Sequence, residues 1–124
     1  KDRLLVSVHY YSPATFCIAD KKSNSWGYSG SWGTEADYKT MRKDFEKMKK
    51  FTDAGYGVII GEYGVCLNTD GEKYVMKKGT DKFFQSVKDL SSEMGYCAMI
   101  WDCSSWFNRK TQSYNYDFLK DIYD

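Results

Sequence analysis

The sequence predicts an α/β fold of three consecutive strand-helix units with parallel strands. Short apolar runs such as Val58-Ile59-Ile60 are typical of strands that are buried on both faces. Longer segments between these runs carry apolar residues at helical spacing. One motif also recurs, because Gly55–Glu62 aligns without a gap on Gly95–Asp102, an offset of 40 residues. A period of about 40 residues suits one strand plus one helix, as in a βα barrel or a doubly wound sheet, and right-handed crossovers connect such parallel neighbours.

The first unit covers about residues 4–54. Its strand is the run Leu4-Leu5-Val6-Ser7-Val8-His9, and a loop rich in Ser, Gly and Trp follows from about Ser12 to Gly33. Thr34 fits a helix N-cap because acidic residues follow it in the first turn. The helix is predicted to end at Gly55, and its buried stripe consists of Tyr38, Met41, Phe45, Met48 and Thr52.

The second and third units cover about residues 57–94 and 96–124. A strand over 57–62 precedes a helix from Thr80 or Asp81 to Met94, and a strand over 96–102 precedes a last helix near 116–123. The apolar side of the 80–94 helix carries Phe84, Val87, Leu90 and Met94.

The length of 124 residues fits a single domain over 1–124. A closed barrel of eight βα units typically takes about 250 residues. The sequence therefore predicts a partial (β/α)8 TIM barrel of about three βα units. Its unpaired strand edges lead us to expect that self-association completes it as a homo-oligomer.

Charge and hydropathy exclude two classes of partner. The net charge is +1, and acidic and basic residues alternate along the predicted helices, so we expect no nucleic-acid binding. No apolar run approaches the roughly 20 residues needed to cross a bilayer, and the segment Lys1-Asp2-Arg3-Leu4 contains no signal-peptide apolar region. We therefore expect no membrane insertion.

The four cysteines do not have the spacing of a metal site. Cys17, Cys66, Cys97 and Cys103 lack paired short intervals, and the chain has one histidine, so we expect neither a metal nor another cofactor. Cys17, Cys66 and Cys103 each follow a predicted strand, which places them at one edge of a parallel sheet. One disulfide is compatible with that placement, but buried free thiols are the preferred interpretation.

Glu62 is the first candidate functional residue because it ends a buried strand. Residues at the carboxyl ends of parallel strands line the mouth of the sheet, where such folds place their chemistry. His9 and Tyr11 can share one face of the first strand, because strand side chains alternate, and could therefore reach the same mouth. The alternative for Glu62 is a structural carboxylate that bonds to loop amides or to a basic side chain. The alternative for His9 is an imidazole that packs in the interior or lies on the surface.

Aromatic residues make up 18% of the chain, and many lie outside the periodic segments. Rings that carry a polar group suit ligands such as sugars, because the ring face covers C–H groups while the polar group bonds outward. The candidate sugar-binding rings are Trp26, Trp32, Trp101 and Trp106. The alternative is that these rings pack against loops and one another.

Three segments together carry a family resemblance. They are His9-Tyr10-Tyr11-Ser12-Pro13, Ile60-Gly61-Glu62-Tyr63-Gly64, and Ile100-Trp101-Asp102 followed by Phe107. In this order they resemble the last three strand ends of glycoside hydrolase family 5, the cellulase-type (β/α)8 barrels, over essentially the whole chain.

The resemblance implies a role for each matching residue. Glu62 matches the nucleophile of a retaining mechanism, and His9 with Tyr11 matches the His-x-Tyr pair of the sixth strand. Trp101 matches the tryptophan that forms the floor of the subsite at the cleaved bond, often followed by a cis peptide bond. The resemblance also implies a secreted, extracellular protein that acts on a β-glucan oligosaccharide or polysaccharide.

One part of the family pattern is absent. The family takes its acid/base glutamate from an Asn-Glu pair at the end of the fourth strand, and no Asn-Glu pair occurs in this chain. Asp102 also ends a strand, but it directly follows Trp101, and adjacent strand residues point to opposite faces. We therefore do not expect Asp102 to be the proton donor.

Three functions follow from these observations. The first is the C-terminal fragment of a retaining endo-β-1,4-glucanase, which carries the nucleophile and whose N-terminal half is missing or supplied separately. The second is a non-catalytic half-barrel that binds β-glucan. The third is a structural half-barrel that assembles with copies of itself.

Overall fold

The computed structural model describes residues 3–21 and 26–124, so residues 22–25 of the predicted first loop lie outside the described part. In chain order the elements are β1 (Leu5–Tyr10), α1 (Ala14–Cys17), α2 (Glu35–Glu46), α3 (Lys49–Asp53), β2 (Gly57–Tyr63), β3 (Asn68–Asp70), β4 (Lys73–Val75), α4 (Thr80–Met94), β5 (Cys97–Ile100), β6 (Phe107–Asn108), β7 (Ser113–Tyr114) and α5 (Asp117–Tyr123).

The three predicted strands form one parallel sheet in the order β1, β2, β5. Sequential neighbours that pair in parallel and are joined through helices form one sector of a barrel. The sheet stays open, which confirms the predicted partial (β/α)8 barrel of three βα units. Its completion by self-association remains a prediction.

The two faces of the sheet differ in exposure. On one face, Val6 and Val8 of β1 and Ile60 of β2 pack against the hydrophobic core under the helices. The other face, here called the open face, carries Leu5 at 68% exposure and Met99 at 51%. In a closed barrel this face would be the interior, so large apolar side chains on it are left in water.

Thr34 begins α2 as the sequence predicts. Its side chain accepts a hydrogen bond from the Asp37 amide, and the Asp37 carboxylate accepts one from the Thr34 amide at 2.8 Å. This reciprocal arrangement is a capping box. The predicted single helix to Gly55 is wrong, because α2 ends at Glu46 and α3 begins at Lys49. The Met48 amide bonds to the Phe45 carbonyl at 3.0 Å, a tighter turn that separates the two helices.

The helix α4 has the predicted bounds and the predicted apolar face. Phe84 and Val87 are fully buried and Leu90 is nearly so. Phe83, which lies outside the predicted stripe, is also fully buried, because it packs against the ring of Phe16 with 5.9 Å between ring centroids. Phe83 lies four residues before Val87 and seven before Leu90, so helical spacing places it on the same apolar face, and the predicted stripe was too narrow.

Two hairpins were not predicted. The β3–β4 pair turns at Gly71 and Glu72, and the β6–β7 pair lies in the segment after β5. Their strands are two or three residues long and largely polar, so neither apolar runs nor alternation indicate them. The dipeptide Asp70-Gly71 is a hairpin-turn signal that would have indicated the first.

Within residues 3–21 and 26–124, no helix combines the length and apolar character that a membrane span requires. The described part of the chain also contains no group of three or more metal-ligating side chains close enough together to hold an ion.

Candidate active site

A β-bulge in β2 brings Glu62 to the open face. Val8 pairs with Ile60, but the next pair is His9 with Glu62, so Gly61 is an extra residue in β2. In a regular strand Glu62, two residues after Ile60, would share the orientation of Ile60 and point into the buried layer. With it, Glu62 stands beside His9, and the following Tyr63 turns into the core, where it is fully buried.

Gly61 leaves the space that the bulge requires. A Cβ atom at this position would lie 3.0 Å from Ser7 Oγ and 3.8 Å from the His9 ring. A methyl group at residue 61 would therefore lie close to Ser7 Oγ and in ordinary van der Waals contact with the His9 ring. Neither Gly61 nor Ser7 was predicted as a site residue, although a glycine directly before a strand-end acid was the available signal.

Glu62 is contacted by both predicted partners, and through the same oxygen. Tyr11 Oη donates to Glu62 Oε2 at 3.0 Å, and His9 Nδ1 lies 3.4 Å from that oxygen. Within the described residues no group hydrogen-bonds to Oε1 of Glu62. The carboxylate is therefore held by one oxygen while the other stays open, and the Glu62 side chain is 26% exposed.

The phenol of Tyr11 is a donor that keeps its proton. Burial, the hydrogen bond to Glu62 and the charge of that carboxylate raise the pKa of Tyr11 to about 12. At neutral pH the hydroxyl is therefore protonated and donates to a negatively charged acceptor. Such charge-assisted bonds are roughly twice as strong as bonds between neutral groups.

Trp101 lies at the end of β5, beside the site. Its ring is 52% exposed, and its backbone amide donates to the Tyr63 carbonyl at 2.8 Å, which ties the end of β5 to β2. The cis peptide bond expected after Trp101 is not found. Among the described residues the one cis bond is Ser12–Pro13.

A cavity of about 470 Å³ opens next to Tyr11 and Trp101. Its other walls come from the segments after β1, β2 and β5, and they include Cys17, Cys66, Cys103 and Trp106. Apolar and aromatic surface dominates, which is typical of small-molecule sites.

The other predicted tryptophans are located differently. Trp26 is 54% exposed on the first loop, whereas Trp32 is 5% exposed and meets the rings of Tyr38 and Phe83 edge-on. Trp106 is 4% exposed and packs on Phe84 with 5.0 Å between centroids. Both rings are thus largely covered by protein, although Trp106 contributes to the wall of the cavity beside Trp101. Sugar binding by Trp32 or Trp106 stays a prediction.

Asp102 has a structural partner. Its Oδ1 accepts the Trp106 amide at 2.9 Å, so this carboxylate closes the turn after β5. The expectation that Asp102 is not the proton donor stays a prediction.

All four cysteines are free. The preferred interpretation of buried free thiols holds fully for Cys17 alone, whose pKa burial raises to about 12. Cys66 is half-buried, whereas Cys97 and Cys103 are exposed.

Comparisons with known proteins agree on one family. The model of the cellulase family, glycosyl hydrolase family 5, matches residues 1–106. Endoglucanase H of Acetivibrio thermocellus is 24% identical over 131 residues, an alignment that covers 98% of this chain and 13% of that protein.

Two solved structures extend this similarity to the fold. A GH5-4 broad-specificity endoglucanase from an uncultured bovine rumen ciliate is 29% identical with a TM-score of 0.85, over 98% of this chain and 38% of that one. A tri-modular GH5 (subfamily 4) endo-β-1,4-glucanase from Bacillus licheniformis is 28% identical with a TM-score of 0.75, and the match covers 98% of this chain and 22% of that one. The chain thus spans well under half the length of these relatives. Because the family model matches most of the sequence, the chain belongs to glycoside hydrolase family 5, as a fragment of the endoglucanase barrel.

Proposed function

We propose that this chain carries the nucleophile of a retaining endo-β-1,4-glucanase, and that Glu62 is that nucleophile. The observation that carries the proposal is the asymmetric environment of its carboxylate, with Oε2 held by Tyr11 and His9 and Oε1 without a described partner. A carboxylate nucleophile must stay ionised and aimed at the anomeric carbon. Donors on one oxygen stabilise the charged form and orient the other oxygen for attack.

The sugar is proposed to lie on the open face, between Glu62 and the exposed ring of Trp101. An aromatic face covers the C–H groups of a sugar ring, and Trp101 is 52% exposed beside the site. Attack of Glu62 Oε1 on the anomeric carbon breaks the bond to the leaving oxygen and forms a glycosyl ester. Water then hydrolyses this ester, restoring the carboxylate with net retention of configuration.

The leaving oxygen needs a proton from a second carboxyl group about 5–5.5 Å from the nucleophile. The chain contains no Asn-Glu pair, and Asp102 already accepts the Trp106 amide. The proton donor is therefore proposed to come from the remainder of the barrel, carried on a missing N-terminal half or supplied by a second copy of the chain.

The substrate class is proposed to be a β-1,4-linked glucan. Two of the relatives are described as a broad-specificity endoglucanase and an endo-β-1,4-glucanase. A polymer of this kind does not enter cells, so we also propose that the protein acts as a secreted, extracellular enzyme.

Two other functions are favoured by specific observations. The absence of an Asn-Glu pair, together with the exposed ring of Trp101, favours a half-barrel that binds β-glucan without turnover. The exposed apolar side chains of Leu5 and Met99 favour a half-barrel that buries its open face against a copy of itself. Self-association is compatible with either of the other functions.

Hydrolysis of dinitrophenyl β-cellobioside tests the proposal, because this leaving group departs without a proton donor. We expect the purified chain to release dinitrophenolate, Glu62→Gln to release none, and Glu93→Gln to match the unmodified chain. Glu93 is a suitable control because it is exposed and paired with Arg42 on the surface. Dinitrophenolate release by Glu62→Gln would refute the proposal that Glu62 is the nucleophile. An unmodified chain that releases no dinitrophenolate but still binds cello-oligosaccharide would establish the binding function. Light scattering in the same buffer reports the oligomeric state.

A further inference from the structure

Two of the free thiols at the cavity beside the site are positioned to be joined. Cys17 ends α1 after the first strand, and Cys66 lies in the segment after the second strand. Both line the same 470 Å³ cavity. We propose that Cys17 and Cys66 are a disulfide-forming pair that covalently links these two segments at the mouth of the site.

The backbone already holds the two residues at disulfide distance. The Cys66 amide donates to the Cys17 carbonyl at 2.7 Å. With standard bond lengths this contact limits the separation of the two Cα atoms to no more than about 6.6 Å. Disulfides form at Cα separations of about 4.4–6.8 Å, so this limit on the Cα separation is compatible with a bond between the two residues.

A buried lysine lies near both cysteines. Lys77 is 3% exposed, and its ammonium donates to the carbonyls of Phe16 and Ala19, on either side of Cys17. From there its charge acts on Cys17 and on Cys66 alike. The ammonium lowers the pKa of Cys17, but burial outweighs this effect and raises that pKa overall.

The other two cysteines lack this arrangement. Cys103 lines the cavity, but it is exposed, and no described backbone hydrogen bond ties it to Cys17 or Cys66. Cys97 is exposed at the start of β5, far along that strand from the mouth. The pairing Cys17 with Cys66 is therefore preferred over the other combinations.

The oxidant is a small-molecule disulfide such as oxidised glutathione. The Cys66 thiolate, which is the more accessible, attacks one sulfur of the oxidant, so that one glutathione leaves and a mixed disulfide forms. Cys17 then loses its proton to the solution, and its thiolate attacks Cys66 Sγ and releases the second glutathione; this is the slow step, because burial raises the pKa of Cys17 to about 12. Two protein thiols are oxidised to one disulfide, and one glutathione disulfide is reduced to two thiols, which carry the two protons.

The link would fix the hydrogen bond at the site. Tyr11 precedes Cys17 on one segment, and Glu62 precedes Cys66 on the other. Joining the segments restricts how far Tyr11 Oη can move from Glu62 Oε2. This proposal does not depend on the catalytic role of Glu62, since it concerns only which thiols meet.

Non-reducing peptide mapping tests the pairing. The folded chain is equilibrated with oxidised glutathione at mildly alkaline pH, remaining thiols are blocked with N-ethylmaleimide after unfolding, and the digest is analysed by mass spectrometry. We expect a peptide pair joined through Cys17 and Cys66, two hydrogen masses below the sum of its parts. The exposed Cys97 serves as an internal control and should carry glutathione.

A Cys103→Ser variant separates the competing pairings, because the Cys17–Cys66 peptide pair should form in it to the same extent. Recovery of Cys17 as a blocked free thiol while Cys97 carries glutathione would overturn the proposal. So would a predominant Cys66–Cys103 link in the unmodified chain. Neither result depends on enzymatic activity.

Discussion

Removal of the Tyr11 hydroxyl is the sharpest perturbation of the proposed site. Tyr11→Phe deletes the O–H that donates to Glu62 Oε2 at 3.0 Å and leaves the ring in place. His9 Nδ1 still approaches the same oxygen at 3.4 Å. The carboxylate therefore keeps one of its two partners and loses the shorter contact.

The expected cost follows from the charge and exposure of Glu62. Hydrogen bonds to charged groups contribute about 1.5–3 kcal/mol, and water can partly replace the donor because the Glu62 side chain is 26% exposed. We therefore take the lower end, about 1.5 kcal/mol. Since 1.4 kcal/mol corresponds to a factor of ten, kcat/KM for dinitrophenyl β-cellobioside should fall roughly tenfold.

Tyr10→Phe is the matched control. Tyr10 is the preceding residue of β1, but its ring points to the opposite face, where its hydroxyl bonds to Asp44 Oδ2 at 3.4 Å. We expect kcat/KM of Tyr10→Phe to stay close to that of the unmodified chain. Equal values for the unmodified chain and Tyr11→Phe, or an equal loss in both variants, would refute the reasoning.

Three further outcomes are expected. Glu62→Gln should lower the pKa of Tyr11 from about 12 toward its ordinary value near 10, because a neutral amide carries no charge. NMR titration of the labelled Tyr11 ring measures this shift, and an unchanged pKa would contradict the contact. Gly61→Ala should change the free energy of unfolding in urea by less than about 1 kcal/mol, because the atom nearest to its Cβ, Ser7 Oγ at 3.0 Å, belongs to an exposed side chain that can rotate away. A loss of about 3 kcal/mol would contradict this description of the packing. Phe84→Ala should lower the free energy of unfolding by about 3–5 kcal/mol in the same assay. Tyr74→Ala changes a residue that is 72% exposed and should alter it by less than about 0.5 kcal/mol. Similar losses in the two variants would contradict the described core.

The strands and most helix ends could be predicted because they depend on local sequence. Apolar runs and the cap at Thr34 determine β2 and the start of α2 within a few residues of the observed bounds. No Gly or Pro marks the break between α2 and α3 in the sequence. At the break the amides of Lys47 and Met48 bond to carbonyls three residues back, and neither residue type indicates this change in advance.

Part of the candidate site could also be predicted from local sequence. Glu62, His9 and Tyr11 could be grouped from their places at strand ends, and they do contact one another. Simple alternation from Ile60, however, directs Glu62 into the buried layer, and the extra residue Gly61 reverses this. A bulge depends on the pairing with β1, so a single strand does not reveal it.

The tryptophans show the limit of composition as a guide to binding. Trp32 and Trp106 lie outside periodic segments, yet both are buried, because their loops fold back onto α4 and meet Phe83 and Phe84. Trp101 has a similar local sequence character and remains 52% exposed. Which loop ring packs and which stays open depends on contacts distant in sequence.

Covalent trapping of Glu62 is the most direct test of its role as the nucleophile. The chain is incubated with deoxyfluoro-β-cellobiosyl fluoride, in which fluoride leaves without a proton donor and the ring fluorine slows hydrolysis of the glycosyl ester. We expect the intact mass to increase by one fluorocellobiosyl group, with the label on the peptide that contains Glu62 and none in Glu62→Gln. A label on another carboxylate, or no label on a folded chain that binds cello-oligosaccharide, would contradict the assignment.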